Sequence, residues 1–308
     1  MRILLALALL TSACATVPAA PPPPPPDVVA IDRPVPAVRP APPPPPAPPL
    51  VSMGMQWLYG AGEGAASSIQ TYRAFRDHVL AATRRRPTNS VILAEGADPS
   101  SPAFVPCGRK PLAVVLDVDE TVIQNLGYEY ALAKSGKAAD GAALNRWQKA
   151  PRTEVKAMPG AVEALNAVKA RGVTVIYNTN RDDEDAEATA KTIANAGLPP
   201  GVIKETLFHR GDVDGQSSKD GRRTYIAGRY CVVAMVGDQL GDFSEQFNVR
   251  GLPVQQRRAL AERGPIASLW GNGWFLLSNP AYGPGLRGRI DEIYPPEVRW
   301  TDPGEVKP

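Results

Sequence analysis

Leu112-Ala113-Val114-Val115-Leu116 runs without a break into Asp117-Val118-Asp119-Glu120-Thr121, and this stretch decides the fold. Consecutive apolar residues without polar alternation are typical of a strand that is covered on both faces. The run gives way at once to acidic residues, so the predicted strand ends in a cluster of negative charge. Ligands bind outside the carboxyl ends of strands in open parallel sheets, so this end is a candidate site.

Two later apolar runs repeat the arrangement. Residues 173–177 lead into Asn178-Thr179-Asn180-Arg181, and residues 231–236 lead into Gly237-Asp238-Gln239-Leu240-Gly241-Asp242. Because the carboxyl ends of parallel strands meet at one edge of a sheet, the polar residues after the three runs are predicted to converge.

The segments between these runs carry helical patterns with end signals. One helix is predicted from Pro159 to Gly172. The next begins within residues 182–185, whose four acids complement the positive end of a helix dipole, and ends at Gly197. A weaker strand is predicted at residues 205–208. Strands that alternate with helices predict an α/β fold with a doubly wound parallel sheet of the Rossmann type.

Two segments precede the first strand of this sheet. Residues 55–86 repeat apolar side chains at three- and four-residue steps, which predicts an N-terminal helical extension. Residues 87–108 are rich in Pro, Gly and Ser and predict an irregular connection. We place the folded domain at residues 51–308.

The first residues have the pattern of a bacterial export signal. Met1-Arg2 is followed by an apolar run over residues 3–10, which is too short to span a bilayer as a helix. Small residues then precede Cys14. The ending resembles a lipoprotein cleavage site, although Thr11 stands where that family usually has Leu. We predict a signal peptide over residues 1–13 and lipidation of Cys14; an ordinary cleaved signal is the alternative.

Residues 14–50 are predicted to form a linker, because residues 18–50 hold half of the 34 prolines in the chain. Proline fixes φ and removes a backbone donor, so this segment cannot build a packed core. An acylated Cys14 followed by a stiff spacer would hold an exported domain at a membrane. We predict that this is the outer membrane and that the domain faces the periplasm or the cell surface. A proline-rich ligand for another protein is the alternative.

Charge and composition argue against nucleic acid as the partner. The formal net charge is only +3, and the longest basic run is Arg84-Arg85-Arg86. Proteins whose main task is to bind nucleic acid usually carry a concentrated basic patch.

Five stretches carry a resemblance to a known family. They are Asp117-x-Asp119-x-Thr121, Thr179-Asn180-Arg181, Ser217-Ser218-Lys219, Gly237-Asp238-x-x-x-Asp242, and Ser278-Asn279-Pro280-Ala281-Tyr282-Gly283. Together they resemble the haloacid dehalogenase superfamily, and within it the class C acid phosphatases, bacterial surface lipoproteins that include 5′-nucleotidases. The resemblance implies hydrolysis of small phosphate monoesters.

The resemblance also implies roles for the strand-end acids. Asp117 would be the nucleophile that forms an aspartyl-phosphate, and Asp119 the general acid and base. Mg²⁺ would be held by the carboxylates of Asp117 and Asp238 and by the backbone carbonyl of Asp119. Asp242 would contact the ion through a water molecule or would support the residues that bind the ion directly.

Elementary electrostatics supports a cation and cationic side chains at such a site. A carboxylate and a phosphate oxygen about 4 Å apart repel by about 4 kcal/mol at an effective dielectric constant near 20. Oxygen ligands favour Mg²⁺. Thr179, Asn180 and Lys219 are the predicted phosphate-binding residues; a solvated lysine is the alternative for Lys219. Arg222 and Arg223 either pair with the acids or face solvent.

Residues 122–158 are predicted to form a small helical cap over the site, which would exclude water and select the leaving group. Asn125, Tyr128, Trp147 and Tyr282 match positions of the class C pattern. Tyr128, Trp147 and Tyr282 are candidates for stacking a nucleobase. Packing in the core of the cap is the alternative for Trp147.

The resemblance also bears on the two cysteines of the domain. Cys107 precedes the first strand of the sheet and Cys231 opens the last one found in the sequence. These two strands are neighbours in the superfamily, which implies a disulfide between Cys107 and Cys231.

Three other functions stay open at this stage. They are a phosphotransferase that uses the same aspartyl-phosphate, a non-catalytic surface binding lipoprotein, and a phospho-accepting receiver. The export signal and Asp119 disfavour the receiver.

Overall fold

The computed structural model describes residues 51–136, 141–213, 215 and 217–302. The predicted signal peptide, the lipidation of Cys14 and the linker lie outside these residues. Among the helices in the described part of the chain, none is both long and apolar enough to cross a membrane.

The strands form three sheets. They are β1 Asn89–Leu93, β2 Phe104–Pro106, β3 Leu112–Leu116, β4 Ile123–Gln124, β5 Lys156–Ala157, β6 Thr174–Asp182, β7 Leu207–Arg210, β8 Cys231–Gly237 and β9 Trp274–Leu276. β1 pairs with β2 and β4 pairs with β5, both antiparallel.

The central sheet has five parallel strands in the order β7-β6-β3-β8-β9. The apolar run over residues 112–116 forms the middle strand, β3. Its register aligns Leu116 with Tyr177 of β6 and with Val236 of β8. The polar residues that follow the three runs therefore emerge side by side, as predicted.

Helices cover both faces of the sheet. They are α1 Met53–Met55, α2 Gly62–Arg84, α3 Leu126–Ser135, α4 Gly141–Gln148, α5 Ala161–Lys169, α6 Ala186–Asn195, α7 Lys219–Arg229, α8 Val254–Glu262, α9 Gly264–Ala267 and α10 Ile290–Ile293. Short 3₁₀ turns include Asp183–Asp185, Leu240–Asp242, Glu245–Asn248, Pro284–Leu286 and Pro296–Val298.

The core has two layers, one on each face of the sheet. Val114 and Leu116 of β3 pack with residues of α2 and α5, and Ala113 and Val115 pack on the other face with residues of α7. Successive side chains of a strand point to opposite faces. Burial of both sets explains the unbroken apolar run and confirms the doubly wound α/β architecture.

Several predicted boundaries were wrong. The N-terminal segment is not one helix: a π-helical turn over Gln56–Gly60 is separated from α2 by Ala61, which has extended backbone (φ −84°, ψ 140°). Glycine on both sides of Ala61 weakens the helix there. The predicted strand at residues 205–208 begins two residues later, as β7.

Two elements of structure were missed. The predicted irregular connection at residues 87–108 contains β1 and β2. The fifth strand of the central sheet, β9, is only three residues long and offers no period to detect. Both lie at positions where local composition favours a loop and pairing with another strand decides otherwise.

The predicted cap contains helices in the structure. α3 and α4 lie between β4 and β5, whose pairing brings the two ends of the segment together. Residues 137–140, between the two helices, lie outside the described residues.

Candidate active site

Three acids meet at the carboxyl edge of the central sheet. Asp117 follows β3, Asp238 follows β8, and Asp242 lies in the 3₁₀ turn after it. One carboxylate oxygen from each lies within 4.8 Å of the others. Asp117 and Asp238 are 9% and 8% exposed, so most of their charge is removed from water.

Lys219 is the counter-charge of this acid cluster. It begins α7, and Ser218 caps that helix by accepting a hydrogen bond from the backbone of Asp220. The Lys219 Nζ forms ion pairs with Asp117 and with Asp242 Oδ1, the latter at 2.7 Å. Its side chain is 4% exposed, which excludes the solvated lysine that the sequence left open.

Thr121 joins the two strand-end acids. Its hydroxyl lies 3.2 Å from Asp238 Oδ1 and 3.4 Å from Asp117 Oδ2. Gln239 Nε2 and Asn279 Nδ2 donate to the other oxygen of Asp238, at 2.9 and 2.7 Å. These contacts orient the carboxylates in the absence of bulk water.

Burial raises the pKa of two acids of the cluster, Asp117 and Asp238. It raises the pKa of Asp117 well above its ordinary value, although the Lys219 ammonium acts in the opposite direction. Burial and the neighbouring Asp242 raise the pKa of Asp238 to about 7. A carboxylate resists ionisation where water is excluded and other acids are close. A bound cation would relieve that repulsion.

Asp242 is positioned by backbone geometry as well as by Lys219. Its Oδ2 accepts a hydrogen bond from the backbone of Gln239 at 2.9 Å, which closes the turn after β8. A side chain at Gly237 would collide with the side chain of Asp242. The glycine of the Gly-Asp-x-x-x-Asp pattern is therefore required by close approach.

Asp119 stands apart from this cluster. Arg181, which follows the phosphate-binding candidates on β6, donates to both of its carboxylate oxygens, at 2.7 and 3.0 Å. Asn125 Nδ2 donates to it at 2.8 Å. Burial alone would raise the pKa of Asp119, but the Arg181 guanidinium holds it below the ordinary value.

Thr179 and Asn180 lie in an irregular part of β6. Asn178 pairs with Phe208 and Asp182 with Arg210, so three residues of β6 stand opposite one residue of β7. Such a bulge re-aims the residues it contains. Thr179 is fully buried, whereas Asn180 is exposed.

Arg222 ties this bulge to α7. Its Nε donates to Asn178 Oδ1 and its Nη2 to Asn180 Oδ1, both at 2.6 Å. The adjacent Arg223 donates to the backbone carbonyls of Gly241 and Asp242, at 3.1 and 2.7 Å. Both arginines are buried, so the solvent-facing alternative is wrong.

The sequence over residues 87–285, well over half of the chain, matches the family model of the HAD superfamily, subfamily IIIB (acid phosphatase). The chain belongs to this acid phosphatase family. Its members hydrolyse phosphate monoesters.

Solved structures agree with the family. Two structures of the class C acid phosphatase from Bacillus anthracis, one of them with tungstate bound, are each 25% identical to this chain. Each aligns with a TM-score of 0.60, and the aligned part covers 76% of this chain and 85% of the Bacillus anthracis chain.

In this acid phosphatase Glu120 contacts both Asn125, which precedes α3, and Tyr282, which follows β9. Glu120 has a left-handed backbone (φ 50°) and a buried carboxylate. Its Oε1 accepts from the backbone of Asn125 at 2.9 Å, and its Oε2 accepts from the Tyr282 hydroxyl. Burial and the charge of Asp119 raise the pKa of Glu120 to about 7.

The three specificity candidates have different environments. Tyr282 is 37% exposed and reaches the site through Glu120. Trp147 donates from Nε1 to Asn125 Oδ1 at 2.9 Å, and the Arg152 guanidinium lies 4.6 Å from its ring centre. Tyr128 is buried and offers little open face to a ligand.

Sequence reasoning missed the contacts made by Arg181, Glu120, Gln239 and Asn279. All four lie within the motif stretches, but the motifs do not indicate which residues they contact. The partners lie up to 162 residues away along the chain, and side-chain pairing at that separation leaves no local pattern.

The predicted disulfide lies at the opposite edge of the sheet. Cys107 and Cys231 are bonded in the structure, with their Cα atoms 4.6 Å apart. The bond joins the segment before β3 to the first residue of β8.

Proposed function

We propose that this acid phosphatase is Mg²⁺-dependent and works through an aspartyl-phosphate on Asp117. The observation that carries the proposal is the convergence of Asp117, Asp238, Asp242 and Lys219 at one edge of the sheet. An anionic nucleophile beside further acids suits an anionic substrate only if positive charge lies among them.

The donor set fits a hard divalent cation. Carboxylate oxygens from Asp117, Asp238 and Asp242 lie close together, and no nitrogen or sulfur ligand belongs to this group among the described residues. Oxygen donors are the preferred ligands of Mg²⁺. Asp117, Asp238 and the backbone carbonyl of Asp119 would hold the ion, with Asp242 in support. When bound, it supplies charge neutralisation between the phosphate and the acids.

Asp117 acts as the nucleophile in this proposal. Its carboxylate attacks phosphorus, a P–O bond to Asp117 forms, and the bond to the leaving alkoxide breaks. The contacts from Thr121 and Lys219 fix the carboxylate in one orientation. Covalent catalysis divides one difficult displacement into two easier ones.

Asp119 transfers the proton. Its carboxylic acid protonates the leaving alkoxide, and the resulting carboxylate then removes a proton from the water that cleaves the aspartyl-phosphate. Arg181 and Asn125 hold the carboxylate in place. The first step needs the protonated form of Asp119. Because Arg181 lowers the pKa of Asp119, a more acidic solution is needed to populate that form.

Thr179, Asn180 and Lys219 bind the phosphoryl oxygens and neutralise charge that develops there. Arg222 supports this role by holding both ends of the Asn178-Thr179-Asn180 segment. The tungstate in the Bacillus anthracis relative is a tetrahedral oxyanion, the shape that such a pocket would accept.

Nucleotides are the proposed substrates among phosphate monoesters. Tyr282 presents an exposed ring beside the site, and a ring in that position can stack on a nucleobase. Side-by-side assays of 5′-AMP, nicotinamide mononucleotide and p-nitrophenyl phosphate test this. Equal kcat/KM values for the three would argue against a stacking site.

The place of action is proposed to be outside the cytoplasm, with Cys14 as the lipid anchor. The sequence before Cys14 supports export, and the Cys107–Cys231 bond suits an oxidising compartment. Mass spectrometry of the mature N-terminus would test the anchor: an unmodified Cys14 contradicts it.

The decisive experiment compares Asp117→Asn with Asp77→Asn, a matched change at an exposed acid on α2. With Mg²⁺ and p-nitrophenyl phosphate, Asp117→Asn should lose nearly all turnover, whereas Asp77→Asn should resemble the unchanged protein. EDTA should abolish activity and added Mg²⁺ should restore it. Wild-type rates from Asp117→Asn, or full activity in EDTA, would refute the mechanism.

A further inference from the structure

A large cavity begins beside the acid cluster and extends away from it. It has a volume of about 1400 Å³ and is lined by Asp238, Gln239 and Asn279 as well as by residues of α2, β9, α8 and the C-terminal segment. A single phosphate group fills only a small part of such a volume. The cavity therefore has room for an extended leaving group.

Three of the arginines that line the cavity, Arg250, Arg257 and Arg287, have no carboxylate within 4.0 Å among the residues that the structure describes. A fourth, Arg258, is paired with Glu262 at 3.0 Å. The arginines of the cavity therefore carry more positive charge than direct ion pairs neutralise.

Arg257 and Arg287 line the same cavity, and the charge of Arg287 acts on Arg257. Arg257 is half-buried, and its Nε donates to the backbone carbonyl of Phe247 at 2.9 Å. Burial and the charge of Arg287 both lower the pKa of Arg257. Like charges held together in a partly dry place are unfavourable unless an anion joins them.

The rest of the lining is largely apolar. Phe247, Leu252, Trp270, Phe275 and Leu286 contribute to it. Arginines without an ion-pair partner, set in an apolar surface, suit a ligand that has an apolar body and an anionic group. Arg287 lies beyond residue 285, where the match to the family model ends, so this feature lies partly outside the matched family region.

We propose that the cavity is a second anion-binding subsite for the leaving group. Arg257 and Arg287 are the residues that bind the anionic group. Among the phosphate monoesters that the proposed function allows, nucleotides included, the subsite would favour those whose leaving group has an apolar body and carries a second anionic group. This inference rests on the proposed function, because one phosphate must react at Asp117 while the other anion lies beside the arginines.

The test uses α,ω-alkanediols of increasing chain length, phosphorylated at one end or at both. At the chain length that spans the two sites, the bisphosphate should have a KM about tenfold below that of the monophosphate, the effect of one charged hydrogen-bonding contact. Shorter bisphosphates should show no preference beyond the statistical advantage of two reactive ends. Added salt should weaken the preference.

Arg287→Gln is the principal variant, because Arg287 is exposed and no hydrogen bond of its side chain is seen within the described chain, so the fold does not depend on it. It should reduce the bisphosphate preference by at least half, and Arg257→Gln combined with it should remove the rest. Arg171→Gln, an exposed arginine that does not line the cavity, should keep the full preference.

Either of two results would overturn the subsite: a bisphosphate-to-monophosphate KM ratio at the statistical value for every chain length, or the full preference in Arg287→Gln. Hydrolysis of p-nitrophenyl phosphate by the unchanged protein is measured in parallel. If that substrate is hydrolysed and the preference is absent, only the subsite fails. If no phosphate ester is hydrolysed, the proposed function fails.

Discussion

The two edges of the central sheet are held together in opposite ways. At the carboxyl edge, β3 and β8 end in Asp117 and Asp238, buried acids held beside Lys219. At the amino edge, the Cys107–Cys231 disulfide joins the segment before β3 to the first residue of β8. One edge carries charges that are costly to bury, and the other carries a covalent bond.

The difference separates function from stability. Buried ion pairs often cost as much in desolvation as they return in attraction, so the acid cluster is a poor source of folding energy. A disulfide restricts the unfolded chain without requiring any particular charge. Changes at the carboxyl edge should therefore affect turnover first, and changes at the amino edge should affect stability first.

The largest effect is expected from Lys219→Met at the carboxyl edge. Removing the cation that contacts Asp117 and Asp242 should lower kcat by about 10³-fold, since electrostatic stabilisation of the developing charge is lost. Steady-state assays with p-nitrophenyl phosphate measure it. Lys191→Met, an exposed lysine on α6, is the control; a tenfold loss or less in Lys219→Met would contradict the role.

At the amino edge, replacing both Cys107 and Cys231 by Ser should lower the free energy of unfolding by about 4 kcal/mol, because the bond closes a long loop. The residues are 124 apart in sequence. Denaturant titration under non-reducing conditions measures it, and the unchanged protein titrated with and without a reductant is the comparison. The folded variant should keep its kcat; a large loss of kcat would break the separation between the edges.

Glu129 in the cap gives a pH-dependent test of charge burial. Burial raises its pKa to about 7, above its value in the unfolded chain, so the native state holds a proton that the unfolded state has released. Stability should therefore fall as pH rises from about 4.5 to about 7, by up to roughly 3 kcal/mol from this group.

Glu129→Gln should remove that loss, so the variant gains stability relative to the unchanged protein at pH 8 and not at pH 4. Unfolding free energies across this range measure it. Glu63→Gln, an exposed acid on α2, should leave the pH profile as it was. The same profile for Glu129→Gln and the unchanged protein would show that burial does not shift this group.

The smallest effect is expected from Arg222→Gln, which frees Asn178 and Asn180 without removing a group proposed to touch phosphate. We expect kcat/KM to fall about tenfold and inorganic phosphate to inhibit more weakly, because orientation of the bulged segment is lost. Arg229→Gln on the same helix is the control. An unchanged inhibition constant would rule out this positioning role.

The sequence alone predicted the architecture and the place of the site. An unbroken apolar run followed by acids, repeated along the chain, predicts buried parallel strands whose ends converge. The edge strand β9 and the pair β1–β2 escaped prediction because they are short and lie in segments whose composition favours loops. Pairing with another strand, which their composition does not reveal, decides their structure.

The sequence by itself determined which acids lie at strand ends, because the patterns that mark the ends of strands and helices extend over only a few residues. Only the tertiary structure decided which cation faces which acid: Arg181 on Asp119 across 62 residues, and Lys219 on Asp117 across 102. It also placed Arg257 and Arg287 in one cavity. Electrostatic pairing depends on distance in space and on burial, and the spacing of residues along the chain determines neither.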